Sequence, residues 1–360
     1  MAVVDDDAGG PLSGVRVVDF SQHLPGPLCT LMLARAGAEV LKIEPPTGDE
    51  LRRQEPLSDG VGVLFSMLSA GKALLSADLK NPRDLEFVLG LVDDADILVE
   101  GFRPGVMDRL GLGAPRIAAR NPGLIYCSIT GYGQDGPLAG RAGHDLNYLA
   151  ESGLLSLSFG SVEHPTVPPA LIADIAGGAY AAMINILLAL EQRRRTGVGQ
   201  RIDISMTDML RPLMPHAIAH AVATGAPPGN AAMLATGASP RYRIYATSDG
   251  DLVAVGAIEE KFWLRFCEAI GLPEILRGSD VDPVACTSAV RERIAAHPSS
   301  YWRVSLSDPD CCCSFLSTLQ AGGVRAMPIP ISACFEADPE RPFENRAIGA
   351  DNAAPRRPHR

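Results

Sequence analysis

A chain of 360 residues is too long for one small core and suggests a large domain accompanied by a smaller one. Hydrophobic residues at 46% and charged residues at 21% are ordinary for a globular chain, and plentiful Gly and Pro with few aromatics suit a loop-rich α/β protein. The formal net charge of −10 argues against a nucleic-acid footprint, although a local basic patch can still take a phosphate-bearing small molecule. The first residues, 1–11, are acidic and Gly-rich, without the basic start or apolar run of a secretory signal. Residues 15–20 (VRVVDF) read as a strand of β-formers, broken by Leu24-Pro25-Gly26-Pro27. Helical spacing follows over 28–36, Gly37 supplies a C-cap, and 39–43 (EVLKI) returns as a strand. A strand–helix–strand unit of this length makes a parallel pair with a right-handed crossover. The pattern recurs as strand 73–78, helix 84–92, strand 97–99, helix 116–121 and strand 124–129, which predicts an α/β sheet covered by helices on both faces.

Beyond it come a Gly-rich loop at 131–143, a helical segment at 147–155, and a long helix over 174–195 with Asp174 as its N-cap. A strand at 202–205 and a helix at 207–224 follow. Residues 226–239, rich in Gly, Pro, Ala and Asn, read as a linker. A strand–turn–strand (242–246, 252–255) and helices at 260–270 and 290–296 complete the smaller domain. The resulting division is 1–225 large domain, 226–239 linker, 240–310 small domain, and 311–360 a C-terminal segment returning to the large domain. The most apolar helical stretch, about 179–190, is too short to span a bilayer, so no membrane partner is expected. Eight Cys are scattered without a Cys-x-x-Cys pair. Reduced thiols and a cytoplasmic setting are the expectation, with neither a disulfide framework nor a zinc site.

Several motifs invite over-reading. Gly131-Tyr132-Gly133-Gln134-Asp135-Gly136 satisfies G-x-G-x-x-G after a predicted strand, but Pro137 and Gly140 keep the chain in loop where a helix must open. Gly71-Lys72 lacks the spaced glycine and hydroxyl residue of a P-loop. His216 and His220 are one helical turn apart, yet no acidic residue stands between them and no third ligand is evident; no metal is expected. Gly143-His144-Asp145 places two titratable groups after a loop whose backbone can approach a ligand, although on these residues alone an ordinary loop His beside an Asp that caps the next helix reads slightly better. Asp174 is a favoured N-cap, and the same geometry would set a carboxylate beside unpaired N–H donors able to hold an oxyanion. Gly177 and Gly178, costly inside a helix, make sense if something packs closely there. Arg103 and Arg109 follow the strand at 97–99, where α/β sheets bind ligands. Glu259 follows a strand and either caps the next helix or serves a site.

The stretches PLSGVRVVDFSQHLPGP, LLSADLKNP, ILVEGFRPGVMDRLGLG, ITGYGQDGP, RAGHDLNYLAESGLL, VPPALIADIAGG, ALEQRRRTGVGQRIDISMTD and YATSDGDLVAVGAIEEKF resemble the family III CoA-transferase (CaiB/BaiF) superfamily. The Gly-His-Asp loop, Pro168-Pro169 and Gly-Ala-Ile-Glu are most like its α-methylacyl-CoA racemase branch. The resemblance implies a Rossmann-like large domain with a parallel sheet, a smaller α+β domain, and a homodimer of interlocked rings. It implies His144 and Asp174 as the acid/base groups, with Asp145 and Glu259 as a second carboxylate pair, Glu259 coming from the other chain. Lys72, Ala77, Leu79, Arg103, Arg109 and Tyr148 fall at positions associated with the CoA moiety. The stretch before Lys72 lacks the usual Asn-Arg, Ile43-Glu44-Pro45-Pro46 lacks a basic residue, and the segment after Pro328 matches poorly.

Three functions then compete. The first is inversion at the α-carbon of a 2-methylacyl-CoA by two-base proton transfer through an enolate held by donors at the Asp174 helix start. The second is CoA transfer between carboxylic acids, with Asp174 attacking the thioester to form a mixed anhydride. The third is an inert acyl-CoA-binding protein. Coenzyme A enters only as part of the substrate, and no metal or redox cofactor is needed.

Overall fold

The computed structural model describes residues 10–318. Those residues form two compact units, one from 10–152 with 169–213, the other from 153–168 with 214–318.

In the first unit the chain runs β1 (Arg16–Asp19), α1 (Pro25–Arg35), β2 (Glu39–Glu44), a short hairpin of β3 (Leu57–Ser58) and β4 (Val61–Gly62), α2 (Val63–Leu68) and β5 (Ala73–Ser76). It continues through α3 (Pro82–Asp93), β6 (Ile97–Glu100), α4 (Val106–Arg109), α5 (Ala114–Arg120), β7 (Ile125–Thr130) and α6 (Asp145–Ser152). A π-helical segment (Ala173–Tyr180) runs straight into α7 (Ala181–Thr196), followed by β8 (Arg201–Ser205). The six long strands pair in parallel in the order β5-β2-β1-β6-β7-β8. Numbered along the chain that is 3-2-1-4-5-6, so the order reverses between β1 and β6. A crevice at the strands' carboxyl ends there is where such sheets take ligands. Short-range chemistry sets the helices. Asn81 caps α3 by accepting the Arg83 N–H (2.9 Å), and Gly197, with φ of 73°, ends α7 in the left-handed conformation. Val88, Leu89 and Val92 of α3 pack on Val18, Ile43 and Leu98 of the sheet, all fully or nearly fully buried.

Two expectations are corrected here. The apolar stretch is not confined to 179–190: the helix expected over 174–195 runs as Ala173–Thr196, 24 residues that by length and composition could cross a bilayer. Its inner face (Ala181, Ala182, Ile186, Ala189) is nevertheless buried, and it packs against α1, β7 and β8 as a core helix does. Nor is 207–224 one helix. Pro212 and Pro215 interrupt the hydrogen-bond ladder, leaving a 3-10 turn (Asp208–Leu213) and then α8 (Pro215–Thr224).

The second unit contains α8, β9 (Arg243–Ala246), β10 (Leu252–Val255), α9 (Glu260–Ala269), α10 (Pro283–Ala295), α11 (Ser299–Ser305) and β11 (Cys313–Phe315). Its antiparallel sheet has the order β11-β10-β9. Trp263 and Trp302 anchor the core, and each indole N–H is satisfied, by Arg277 O (2.9 Å) and Ile294 O (2.8 Å). The segment 311–318 therefore begins inside this unit's sheet. The expected return to the large domain lies outside the described residues.

Candidate active site

β7 ends in the glycine-rich loop at 131–143, and α6 opens directly after it. His144 is the residue that starts α6: its N–H donates to Asn147 Oδ1 (3.0 Å), and its carbonyl accepts the Asn147 N–H (2.8 Å). The imidazole is exposed, whereas Asp145 beside it turns inward and is only 5% exposed. Asp145 Oδ1 accepts the Asp174 N–H (2.9 Å), and its carboxylate also takes the Ala173 N–H. One hydrogen bond thus brings together two sequence-distant candidates, 29 residues apart. Beneath them the Tyr148 hydroxyl donates to Gly143 O, and its ring meets Tyr132 edge-on. A Cβ at Gly131 or Gly143 would run into the Tyr148 ring, which explains two of the loop's glycines.

Asp174 is not the N-cap the sequence suggests. The π-helical segment starts a residue earlier, and Asp174 sits inside its first turn. The neighbouring N–H groups are all engaged: Ile172 to Ala170 O, Ala173 and Asp174 to Asp145, and Ile175 to Leu171 O. The expected oxyanion donors at this helix start are therefore already taken. From below, Gly177 lies against the Met206 carbonyl and Gly178 against Pro25, where any side chain would clash. Burial, then the charge of Asp145, pushes Asp174 up to about 6, with His144 pulling the other way. Asp145 is itself raised by burial, opposed by its two N–H bonds.

The remaining predicted residues separate into groups. Arg103 lies just past β6 and Arg109 within α4; both are exposed, and Arg103 acts electrostatically on the Tyr148 hydroxyl. Tyr148 is buried, its hydroxyl committed to the loop, and burial, then Asp174, pushes it up to about 12. Ala77 is buried and Leu79 half-buried against the core. Lys72 must be reassigned. Its side chain has no exposure, and its Nζ donates to Pro27 O (2.8 Å) and Thr30 Oγ1 (2.6 Å) and pairs with buried Asp19 (3.3 Å). All of these partners are internal, so in this structure its ammonium supports the β1–α1 loop. Glu259 belongs to the second unit, where it is exposed at the start of α9 and makes no side-chain cap. His216 and His220 are exposed on α8.

Glu100 escaped the sequence reading. It is 3% exposed at the end of β6, accepts the Phe102 N–H (2.8 Å) and a Ser128 hydroxyl hydrogen bond, and so fixes the turn that leads to Arg103. The signal was available: an acid closing an otherwise apolar strand (ILVE) needs internal partners.

A parallel sheet with its strand reversal at β1/β6, a histidine and a half-buried acid near the loop that follows β7, and exposed arginines past β6 make an α/β fold with a candidate site at one end of its sheet. The sequence description "CoA-transferase family III" matches residues 12–324, and the chain belongs to that family. Human alpha-methylacyl-CoA racemase is 39% identical over 262 residues, covering 72% of this chain. The matched part spans 65% of that racemase's length, short of two thirds. Acetyl-CoA:oxalate CoA-transferase of Acetobacter aceti is 33% identical over 309 residues, 81% of this chain and 77% of that protein. Among solved structures, a CaiB/BaiF family protein from Brucella suis superposes with a TM-score of 0.75 at 28% identity, over 86% of this chain and 85% of that one.

Two measurements check these placements. Lys72→Met removes the paired cation from buried Asp19, leaving only Lys42 and the hydroxyls to oppose its burial, and is expected to lower urea stability by about 3 kcal/mol; an unchanged midpoint with weakened CoA binding would return Lys72 to the ligand site. Asp174 carries a carboxyl raised from 3.8 to about 6, so the folded state loses stability as pH rises through that window and bears the whole penalty above it. Asp174→Asn should therefore be more stable at pH 8, by about 1–2 kcal/mol after discounting partial exposure, and the gain should vanish below pH 4. A gain that persists at low pH would contradict the raised pKa.

Proposed function

We propose that the chain is an acyl-CoA racemase or epimerase that inverts the α-carbon of 2-methylacyl-CoA thioesters. The observation that carries this reading is the meeting of exposed His144 with half-buried Asp174, a carboxyl pushed up to about 6. One group removes the α-proton, leaving an enolate. The conjugate acid of the other returns a proton to the opposite face, and the pair exchanges roles for the other enantiomer. With the donors of the π-helical start engaged, the enolate oxygen is assigned to the first N–H groups of α6, those of Asp145 and Leu146. Neither carries a hydrogen bond among the described residues, and both directly follow His144. Arg103 and Arg109 are assigned to the phosphates of the CoA moiety, with Leu79 alongside the nucleotide.

The human racemase, as the relative quoted at 39% identity, supports this assignment. An interlocked homodimer, with Glu259 supplied to the site of the partner, belongs to the same reading. The outer face of the apolar helix, where Tyr180, Ile184, Leu187 and Leu188 are exposed at helical spacing, suits a contact with a second copy. The second reading, CoA transfer through an aspartyl mixed anhydride at Asp174, is favoured by one observation. The match to the acetyl-CoA:oxalate CoA-transferase covers 77% of that protein, more than the 65% covered in the racemase.

Incubating one 2-methylacyl-CoA enantiomer in D2O without an acceptor acid separates the two. Racemisation predicts α-deuteration with loss of optical purity, abolished in His144→Ala. Absence of exchange, with CoA transfer on adding oxalate or another free acid, sinks the racemase in favour of the transferase.

A further inference from the structure

We propose that Asp145 is a positioning residue for Asp174, clamping the first π-helical turn by accepting the Ala173 and Asp174 N–H groups, and that it exchanges no proton with substrate. The inference rests on the racemase reading for its activity arms. Its structural arm stands whichever reaction the chain performs.

Three observations carry it. First, the clamped helix has no cap of its own: Ile172, the residue before it, is already in helical conformation (φ −69°, ψ −38°) and makes no side-chain cap bond. A helix start leaves four N–H groups without intrahelical partners, and one left buried and unsatisfied costs about 1–3 kcal/mol. Two of the four here go to a single carboxylate from another element. Second, that carboxylate is 5% exposed and committed to two donors, whereas His144, one residue earlier, is exposed. A group so engaged is a poor candidate to reach an α-carbon. Third, the clamp links the two proton carriers almost directly. Its acceptor belongs to the residue next to His144, and one of its donors is the Asp174 backbone. Gly177 against Met206 and Gly178 against Pro25 seat the same segment from below. Between that seat and the clamp, the Asp174 backbone has one place to be.

Asp145 also faces Asp174 as a like charge. The groups acting electrostatically on Asp174 are Asp145 and His144, and Asp174 in turn acts on Tyr148. α1, β8 and the 3-10 turn also pack on the segment and bring Cys29, Arg35, Arg201, Asp203, Asp208 and Arg211; none of these is among the charges acting on Asp174. Neutralising Asp145 while keeping its acceptor oxygen therefore changes the charge on the site without removing the clamp.

The test compares Asp145→Asn with Asp145→Ala in the full-length chain, by α-proton exchange in D2O and by backbone amide exchange of residues 172–176. Asp145→Ala should lose roughly 100-fold or more in kcat with KM within a few-fold, and the Ala173 and Asp174 amides should exchange faster. Asp145→Asn should recover most of the lost kcat and restore amide protection. Its acidic limb, in the direction that uses Asp174 as base, should move to lower pH by roughly half to one unit. An Asn variant as inactive as Ala, with wild-type amide protection and an unmoved limb, would make Asp145 a proton carrier and overturn the proposal. If the Ala variant does not fold, Asn alone decides, because a clamp predicts retained protection with a shifted limb and a proton carrier predicts loss of turnover. If the wild-type chain transfers CoA without α-exchange, the racemase reading fails, and amide protection with the pH profile of transfer still judges the clamp.

Discussion

A carboxylate with no access to water, Asp19, organises the half of the sheet where the strand order reverses. One oxygen accepts the N–H of Ser21 (2.9 Å) and its hydroxyl; the other takes the Thr30 hydroxyl and the Lys72 ammonium (3.3 Å). Burial drives the Asp19 pKa upward, yet Lys72, Lys42 and the two hydroxyls together hold it below the usual carboxylate value. Burial pushes Lys72 down to about 8, with Asp19 opposing. A second buried cation, Lys42, donates to Ser21 O (2.6 Å) and pairs with Asp49 (2.9 Å). Any one of these charges alone would cost several kcal/mol in such surroundings. Mutually satisfied, they fix the turn between β1 and α1 from its first residue to Pro27 O. α1, so anchored, packs against the π-helical segment that carries Asp174.

How far the sequence disclosed this depends on the range of each interaction. Alternating strand and helix patterns were enough for the parallel sheet, since β1, β2, β6 and β7 are short apolar runs with local stop signals. Prolines 212 and 215 lie in plain view, but apolar spacing across 207–224 outweighed them, and a helix was expected where the backbone breaks. The hairpin at β3 and β4 carries no periodic signal in its two-residue strands. Lys72 shows the deeper limit. A lysine after Gly71 looks the same whether it reaches solvent or Asp19, and only the fold, which brings together residues 53 apart, decides.

The site shows the same division. The position of His144, exposed between a glycine-rich loop and the start of a helix, was legible because its context is local. Asp174 was recognised as an acid at a helix start, but its capping role was assigned to the wrong residue. The cap comes from Asp145, across 29 residues, and propensity rules consult only neighbours in sequence. The mistake reached the chemistry, since it left free on paper the N–H donors that Asp145 in fact occupies. The first two N–H groups of α6, by contrast, carry no hydrogen bond among the described residues.

A two-base inversion needs its carriers to be nearly matched in basicity, because each must serve as acid in one direction and base in the other. An ordinary carboxylic acid, near 4, lies about three units below neutrality. Placing Asp174 in a half-buried turn beside another carboxylate removes most of that gap, to about 6. That burial costs stability that a better-solvated placement would avoid, and the backbone that carries Asp174 is held by the two glycine contacts and by the Asp145 clamp. An aspartyl nucleophile for CoA transfer has no such requirement. It attacks as the carboxylate, and raising its pKa lowers the fraction ionised while making the ionised oxygen more nucleophilic. Burial and the Asp145 charge bring the Asp174 carboxyl to where it can hold and release a proton near neutrality, the property that the proposed two-base inversion uses.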